Sequence, residues 1–512
     1  MPTKRARPAL SLNTTVGPGV TSTSAATTPV RPGASLGLDL AMDDAAPAQR
    51  EEEIFPTPAF VILATVMHEN CRLIAAKCRS AGLALRPHVK TTKLVEVGRA
   101  QTEHGPWPVD PETHAGAGEP DAVDAAAEAA GSRRPAVVVS TMAEAEAFAS
   151  RGFRDITFAV PLNVAPTSLS RVLGLHGEVP RLRLMVDCEG HVEALEAAVR
   201  AAAEDGTMAA HAEGDGPAVD AAALLGSATK RSKPSGAAPS LRRVSVFVAL
   251  DCGYGREGID VTDEAGVAAA VALCGRVHAS PALALAGLYS HSGNSYNTEG
   301  GAASAAAVAL EEARLAGAAA AAVRASGVPV SVVSVGSTPS VCAPESLAPL
   351  RAAGATEVHP GNYVLLDRQQ LVSGSATDDA ASASASSSSS SPSLRVACHV
   401  VASVIGVYPK RNEVLINAGG TALHKDSGGD GVTHWGSVRG TGGRVVAVRL
   451  SQEHGVLTTA DGSSMPWSDF PLGAAVRVVP NHSCMAACMH DVHHVVDGAG
   501  RVVDVWRPAR GW

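Results

Sequence analysis

Between residues 54 and 373, short apolar runs typical of buried β-strands alternate with alanine-rich runs typical of helices. The predicted strands are, in chain order, Phe60 to Ala64 or its neighbour, Ala84 to Arg86, Val137 to Val139, Asp155 to Val160, Leu182 to Val186, Val244 to Leu250, Leu283 to Tyr289, Val330 to Val335 and a short strand near Val364. A count close to eight, with parallel connections, predicts an α/β fold of the (β/α)8 TIM-barrel type. A doubly wound open sheet is the alternative, but no Gly-x-Gly-x-x-Gly follows the first strand.

Polar residues follow seven of these strands at the point where each strand ends. They are His88 with Lys90, Ser140, Asp187, Asp251 with Arg256, His291 with Tyr296, Gly336-Ser337-Thr338, and Gly361-Asn362. In a barrel the strand ends converge on one face, where active sites are built, so we predict an active site there. For Asp187 and Asp251, capping of the following helix is the alternative role.

Lys90 lies just beyond a short apolar strand, in a run that also contains Arg86, His88 and Lys93. Like charge and partial desolvation disfavour the ammonium form of such a lysine, and this makes the amine a better nucleophile. The sequence therefore indicates a lysine suited to Schiff-base chemistry. A solvated basic surface is the alternative.

The segment Gly336-Ser337-Thr338-Pro339-Ser340 follows a predicted strand and can begin a helix. Backbone N–H groups at a helix start, beside hydroxyl groups, form a cradle for phosphate. An ordinary turn is the alternative. A phosphate site on the same face as a Schiff-base lysine indicates pyridoxal 5'-phosphate as the cofactor.

From about Val396 onward the helical pattern gives way to short β-type runs, which predict a second, all-β domain. These runs are Val396 to Val407, Glu413 to Ile416, Val445 to Leu450, Ala475 to Val479 and Val502 to Trp506. Near its end lie His482 and Cys484, followed by three further histidines at 490, 493 and 494. In a His-x-Cys pair on one strand or loop, both side chains point to the same side and can share a metal such as zinc. A buried free cysteine beside surface histidines is the alternative.

The composition suggests four regions. We predict an N-terminal tail over residues 1–53, a barrel over 54–373 with an insertion at 204–240, a serine-rich linker at 374–393, and the β domain over 394–512. Residues 1–38 contain no Asp or Glu but several Lys and Arg, which is typical of a transit peptide or a disordered tail. We therefore expect a cytoplasmic or organellar protein.

Bulk properties exclude several classes of function. A net charge of −8 gives no electrostatic basis for nucleic-acid binding. No apolar run reaches the roughly 18 residues that span a bilayer, so no membrane partner is expected. The nine cysteines show no paired framework, which indicates a reducing compartment.

Seven segments, in this order, resemble those of one enzyme family. They are Arg86-Pro87-His88-Val89-Lys90-Thr91, Asp251-Cys252-Gly253-Tyr254-Gly255-Arg256, Ser290-His291-Ser292-Gly293-Asn294-Ser295-Tyr296, Gly336-Ser337-Thr338-Pro339, Pro360-Gly361-Asn362-Tyr363, Ser451-Gln452-Glu453-His454-Gly455 and Pro480-Asn481-His482-Ser483-Cys484. The chain resembles the eukaryotic-type D-serine dehydratases. These are grouped with D-threonine aldolases and 3-hydroxyaspartate enzymes in the alanine-racemase-like, fold type III class of pyridoxal phosphate enzymes. The resemblance covers residues 54–512 apart from the two insertions.

This resemblance implies that Lys90 carries pyridoxal phosphate and that His482 and Cys484 hold a divalent metal close to it. Zn²⁺ is expected, with Mn²⁺ or Mg²⁺ as alternatives, in a homodimer. The residues expected to bind the cofactor are Lys90, His88, Tyr254, Tyr296, Gly336, Ser337, Thr338, Gly361 and Asn362. The chain departs from the family at Thr92, where relatives commonly have histidine, and this weakens the assignment to a subfamily.

The implied activity is that of a lyase that converts D-serine to pyruvate and ammonia. Lys90 would remove the α-proton, and the metal would assist loss of the β-hydroxyl. The alternative is a D-threonine aldolase or a 3-hydroxyaspartate aldolase or dehydratase, acting on another small-molecule D-3-hydroxy amino acid. His-x-Cys favours the dehydratases, although 3-hydroxyaspartate enzymes share it. A non-catalytic cofactor-binding protein would not need His482 and Cys484.

Overall fold

The computed structural model describes residues 56–104, 135–204, 218–220, 240–296, 300–376, 393–429 and 431–512. The predicted N-terminal tail lies outside the described residues, as do most of the two predicted insertions. Within the first insertion, the short strand Ala218–Asp220 pairs antiparallel with Ser240–Arg242.

Eight parallel strands form the first sheet, which confirms the predicted barrel architecture. Their hydrogen-bonded order is Ala84–Leu85, Glu357–Val358, Val333–Val335, Leu283–Ser290, Val244–Asp251, Arg181–Val186, Asp155–Pro161 and Ala136–Val139. The short strand Ile259–Asp260 pairs beside this series. A parallel bridge between His88 and Val138 links the two ends of the sheet, and the Val138 N–H donates to the Pro87 carbonyl at 2.9 Å.

Two of the predicted barrel strands are wrong. The predicted first strand corresponds to Ala59–Leu63, which pairs with strands of the C-terminal domain instead of the barrel. Val364 lies in a 3-10 helix, and the last barrel strand is Glu357–Val358. A two-residue strand has too little periodicity to be recognised by pattern.

Helices cover the barrel, and several begin at a residue whose side chain caps the helix. Thr141 accepts a hydrogen bond from the Glu144 N–H at 3.2 Å, so the predicted helix begins there and runs over Met142–Ser150. The helices are Ala64–Ala81, Val95–Glu103, Met142–Ser150, Pro166–Glu178, Glu189–Glu204, Glu264–His278, Gly301–Ala325, Thr338–Cys342, Ala348–Ala352, Arg368–Val372, Gly420–Leu423 and Ser483–Cys488. Short 3-10 helices span Val89–Thr91, Gly293–Tyr296, Asn362–Val364, Pro409–Arg411 and Trp467–Asp469.

The C-terminal domain is an all-β sheet, as predicted. The order of its strands is Glu413–Ile416, Gly455–Thr459, Val445–Leu450, Gly436–Val438, Ala475–Pro480, Cys398–Tyr408, Ala59–Leu63, His493–Val496 and Val502–Trp506. The strands at 413–416 and 398–408 also pair, so six antiparallel strands close into a small barrel.

The N-terminal strand and helix join the two folded regions. Phe60, fully buried, packs against the rings of His490 and His493 of the β domain. Asn70 holds the chain that enters that domain, because its side chain bonds both the carbonyl and the N–H of Arg395 at 2.7 and 3.0 Å. The strand therefore supplies a buried contact that positions the β domain over the barrel. None of the helices in the described part of the chain is long and apolar enough to cross a membrane.

Candidate active site

Lys90 lies on the 3-10 helix Val89–Thr91, immediately after the strand Ala84–Leu85. The helix is capped by His88, whose Nδ1 accepts a hydrogen bond from the Lys90 N–H at 3.3 Å. Burial lowers the pKa of the Lys90 amine, and the nearby Arg256 lowers it further, although Cys484 acts in the opposite direction. A larger fraction of the amine is therefore uncharged than for an ordinary lysine.

The two cations close to Lys90 in the sequence, Arg86 and Lys93, form ion pairs with acidic residues. Arg86 is buried and forms ion pairs with Asp155 and Glu357 on neighbouring strands. Lys93 Nζ lies 2.8 Å from Glu144 Oε1. The predicted fall in the pKa of Lys90 is correct in direction, but it arises from burial and not from Arg86 or Lys93.

Three histidines stand around Lys90; His88 and His359 are buried, and His291 is partly exposed. His88 Nε2 contacts Ser140 Oγ at 3.1 Å, and His291 Nδ1 contacts the Gly336 carbonyl at 3.0 Å. His359 Nδ1 contacts Ser334 Oγ at 2.9 Å, and the ring stacks on Tyr289. Burial lowers the pKa of each histidine, that of His359 to about 3, and Lys90 lowers each further. The imidazoles are therefore neutral, so they can bind a ligand without adding positive charge.

The predicted phosphate cradle lies where two strand ends meet. Ser337 is occupied by a capping box with Ser340, so its hydroxyl serves the helix Thr338–Cys342. Thr338 Oγ1 accepts a hydrogen bond from the Asn362 N–H at 2.9 Å, which joins the two predicted segments. Tyr296 lies beside Thr338, and burial raises the pKa of its phenol, which stays protonated and able to donate.

Tyr254 and Arg256 lie on an exposed loop at the edge of the site. The Asp251 carboxylate shapes this loop, because it accepts hydrogen bonds from the N–H groups of Gly253, Tyr254 and Gly255. Asp251 therefore organises a loop and does not cap a helix, the alternative considered from sequence, because the following helix Glu264–His278 is capped by Asp263. The Tyr254 ring lies 6.2 Å from that of His291, and it covers Gly293 so closely that a Cβ there would lie 2.2 Å from the ring.

The proposed metal ligands sit at the beginning of the short helix Ser483–Cys488 and not on a strand. His482 Nδ1 hydrogen-bonds to Asp426, so Nε2 is the ring nitrogen that would bind a metal. Burial opposes protonation of His482, but Cys484 and Asp426 outweigh this effect and raise its pKa. Cys484 Sγ lies 3.3 Å from Thr91 Oγ1, next to Lys90 in the chain.

A buried polar cluster holds this helix to the barrel. The Asn362 side chain donates to Asp367 at 2.6 Å and accepts from the Ser483 hydroxyl at 2.6 Å. The Ser483 N–H donates to the same Asp367 carboxylate at 2.8 Å. Asn362 was singled out from sequence for the cofactor, and its side chain in fact links the barrel to the residue between His482 and Cys484.

Two of the histidines that follow Cys484 have other roles. His490 Nε2 lies 3.0 Å from the Ala422 carbonyl, and His493 Nε2 lies 3.0 Å from that of Ala487. His359 and Asp426 were not identified from sequence. His359 follows the strand Glu357–Val358, which the sequence pattern placed near Val364. Correct placement of that strand would have put His359 among the polar residues at the strand ends. Asp426 lies in a glycine-rich loop with no pattern to mark it.

The residues at this site fit both pyridoxal phosphate and a divalent metal. His359 Nε2 is buried and has no hydrogen-bond partner among the described residues, as expected of an atom that meets a ligand. Gly361 packs so closely on the Lys90 segment that a Cβ would lie 2.9 Å from the His88 carbonyl oxygen. With Tyr296 and Thr338 as donors, this pocket suits a phosphate-bearing ring attached to a lysine. One thiol and one imidazole oriented by a carboxylate suit a borderline metal.

Comparisons with known proteins identify the family. The family model "Alanine racemase, N-terminal domain" matches residues 115–369, and "Putative serine dehydratase domain" matches residues 397–496. A D-serine dehydratase of Dictyostelium discoideum is 28% identical over 89% of this chain and 97% of its own length. A D-threo-3-hydroxyaspartate dehydratase of Delftia sp. (strain HT23) is 30% identical over 89% of this chain and 98% of its own.

A solved structure agrees as well. It is a cysteine-to-alanine mutant of D-threo-3-hydroxyaspartate dehydratase in the metal-free form. It superposes with a TM-score of 0.67 and 27% identity, over 91% of this chain and 100% of that chain. The chain is therefore a pyridoxal phosphate-dependent lyase and belongs, as predicted, to the D-serine dehydratase family of the alanine-racemase-like, fold type III enzymes.

Proposed function

We propose that this protein is a D-serine dehydratase that releases pyruvate and ammonia, with pyridoxal phosphate on Lys90 and zinc on His482 and Cys484. The observation that carries the proposal is the contact between Cys484 and Thr91, because it brings the metal ligands to the lysine. The cofactor, when bound, supplies an electron sink for the charge that develops at the substrate α-carbon. The metal supplies Lewis-acid assistance to departure of the β-hydroxyl.

Lys90 is the residue we assign to the α-proton. Its amine is uncharged more readily than that of an exposed lysine, because burial lowers its pKa. Glu144 neutralises Lys93, so the neighbouring lysine is held away from this role. The neutral ring of His88 caps the Lys90 segment and holds its backbone in place.

The β domain contributes the metal ligands. Asp426 fixes the ring of His482 through Nδ1, so Nε2 is directed to the metal. A thiolate with an imidazole favours zinc over Mn²⁺ or Mg²⁺, which prefer oxygen ligands. The cluster of Asn362, Asp367 and Ser483 holds both ligands against the barrel.

Dehydration has more support than aldol cleavage. Both curated relatives described above are named dehydratases, and one is named for D-serine. The other acts, by its name, on D-threo-3-hydroxyaspartate, so that compound belongs in any substrate test.

The test is an assay of the purified protein on D-serine, D-threonine and D-threo-3-hydroxyaspartate, with pyruvate, oxaloacetate, aldehyde and glyoxylate measured in parallel. We expect pyruvate from D-serine as the fastest reaction. Aldehyde or glyoxylate as the main product would show an aldolase. No turnover with bound cofactor would indicate a non-catalytic binding protein.

Two further proposals concern the oligomeric state and the cellular location of the protein. We propose a homodimer, as the family resemblance implies, and light scattering of the purified protein checks it by its mass. We propose a cytoplasmic or organellar site, because residues 1–38 have the composition of a transit peptide. Imaging of the full-length chain beside a chain that lacks residues 1–53 separates these two compartments.

A further inference from the structure

A buried carboxyl group that forms no ion pair with any described residue lies behind the candidate active site. Glu312, on the helix Gly301–Ala325, is only 2% exposed. Both of its side-chain oxygens are shielded from solvent and complete no hydrogen bond with any described group. Its neighbour Glu311 is different, because it is exposed and pairs with Arg314 at 2.6 Å. A buried acid with no ion pair costs stability unless it has a role.

The groups that act on Glu312 belong to two loops of the site. They are the hydroxyls of Ser290 and Ser292 and the backbone N–H groups of Ser292 and Gly336, all of which favour the carboxylate form. Ser290 and Ser292 are buried and flank His291 in the sequence. The Ser292 hydroxyl is itself buried and without a hydrogen-bond partner among the described residues.

The same two loops carry the proposed cofactor contacts. His291 Nδ1 meets the Gly336 carbonyl at 3.0 Å, so the loops are already joined on the side that faces Lys90. Ser295 Oγ adds a second link, at 2.7 Å from both the Ser292 carbonyl and Ser337 Oγ. The Glu312 carboxyl lies behind the same two loops, beside Ser290, Ser292 and Gly336, and Gly336 begins the segment assigned to phosphate.

We propose that Glu312 is a positioning residue for these two loops, and that its negative charge weakens retention of a phosphate-bearing cofactor as pH rises. This inference rests on the proposed function, since it requires pyridoxal phosphate at the cradle. The ligand class concerned is a dianionic phosphate ester.

The direction of the effect follows from charge. Burial raises the pKa of Glu312 to about 7, against the four donors that lower it. Below this pKa the acid is neutral and does not repel a phosphate at Gly336, whereas above it the carboxylate does. By linkage, bound phosphate raises the pKa of Glu312 further, and affinity falls as pH rises through the free value.

Other titratable groups around this helix do not reproduce the effect. Burial raises the pKa of the neighbouring thiols and phenols and lowers that of the His291 imidazole, so none of these groups changes charge near pH 7; the thiols and phenols are Cys252, Cys274, Tyr289, Tyr296 and Cys342. The cations on the packed helices are bound elsewhere. Arg276 pairs with Glu196, and Arg351 donates to the Ala355 carbonyl.

The test compares the dissociation constant of pyridoxal phosphate at about pH 6.5 and about pH 8.5 for wild type, Glu312→Gln and the control Glu311→Gln. We expect the affinity for pyridoxal phosphate to fall between these pH values more in wild type and Glu311→Gln than in Glu312→Gln, by a further factor on the order of tenfold. Pyridoxal, which lacks the phosphate, is the second probe, and it should show no difference between wild type and Glu312→Gln. The inference is overturned if all three proteins show the same pH dependence with pyridoxal phosphate. It is also overturned if Glu312→Gln changes the pH dependence of pyridoxal binding as much as that of pyridoxal phosphate binding.

A further measurement avoids dependence on the folding of the variant. Infrared difference spectra of wild type at about pH 7.5, near the pKa of Glu312, should show protonation of a carboxylate when pyridoxal phosphate is added. No gain of carboxylic acid signal contradicts the inference. If wild type binds no pyridoxal phosphate at about pH 6.5, the proposed function itself fails. If pyridoxal phosphate binds but its pH dependence does not change in Glu312→Gln, only the role of Glu312 is overturned.

Discussion

Cys484 Sγ lies 3.3 Å from Thr91 Oγ1, although 393 positions separate the two residues in the chain. Thr91 follows Lys90, so this contact joins the proposed metal ligands to the lysine. It arises because Asn362 and Asp367 bind Ser483 between the two ligands. The barrel thus carries the proposed cofactor lysine, and the β domain carries the proposed metal ligands.

Lys90→Ala should abolish the visible absorbance of bound pyridoxal phosphate and all turnover. The reason is that burial lowers the pKa of the Lys90 amine, whereas the Lys93 amine is held in an ion pair with Glu144. Absorbance spectra after dialysis against the cofactor measure this directly.

Lys93→Ala is the matched control. Lys93 pairs with the buried Glu144, so its loss should destabilise the protein by about 1 to 3 kcal/mol, yet leave the cofactor bound. Chemical denaturation gives the loss of stability. If Lys93→Ala loses the absorbance and Lys90→Ala keeps it, the assignment of the lysine is wrong.

Asp426→Asn should weaken metal binding about 10- to 100-fold, because Asp426 fixes the orientation and basicity of His482. Competition titration with a metal indicator checks this, with the exposed Asp469→Asn as the control in the same domain. An unchanged affinity would mean that Asp426 only caps the loop.

Asp155→Asn should destabilise the barrel by about 2 to 4 kcal/mol at neutral pH, because it removes one of the two carboxylate partners of the buried Arg86. Burial alone would raise the pKa of Asp155, but Arg183 and Arg86 lower it to about 2. Its contribution to stability is therefore complete above the unfolded pKa of about 4 and disappears as pH falls towards 2. The difference in unfolding free energy between wild type and variant should shrink over that range. A difference in unfolding free energy that stays constant over this pH range would contradict this account, with the exposed Asp469→Asn as the control variant.

Much of the barrel was predictable, because buried parallel strands such as Val244–Asp251 are continuous apolar runs. The misassigned strands show the limit. Ala59–Leu63 has the pattern of any buried strand, and its partners lie more than 300 residues away, where sequence gives no information on pairing. Glu357–Val358 is too short for any period.

The site was predictable where chemistry concentrates in one segment, as in Arg86 to Thr91 and His482 to Cys484. It was not predictable where the role depends on contacts across the fold. Arg86 and Lys93 seemed to be like-charged neighbours of Lys90, but Asp155 and Glu144 neutralise them. Asp426 and Glu312 belong to the site only because distant segments fold against them.

The most direct test of the account is the rate of Cys484→Ala on two substrates, D-serine and β-chloro-D-alanine, beside Cys488→Ala. Cys488 is exposed on the same helix, so its variant should behave as wild type. Chloride leaves without assistance, whereas the β-hydroxyl needs the metal. We predict that Cys484→Ala, like chelated wild type, loses elimination from D-serine, keeps its bound cofactor and retains much of its rate on β-chloro-D-alanine. Equal loss on both substrates would contradict the assigned role of the metal.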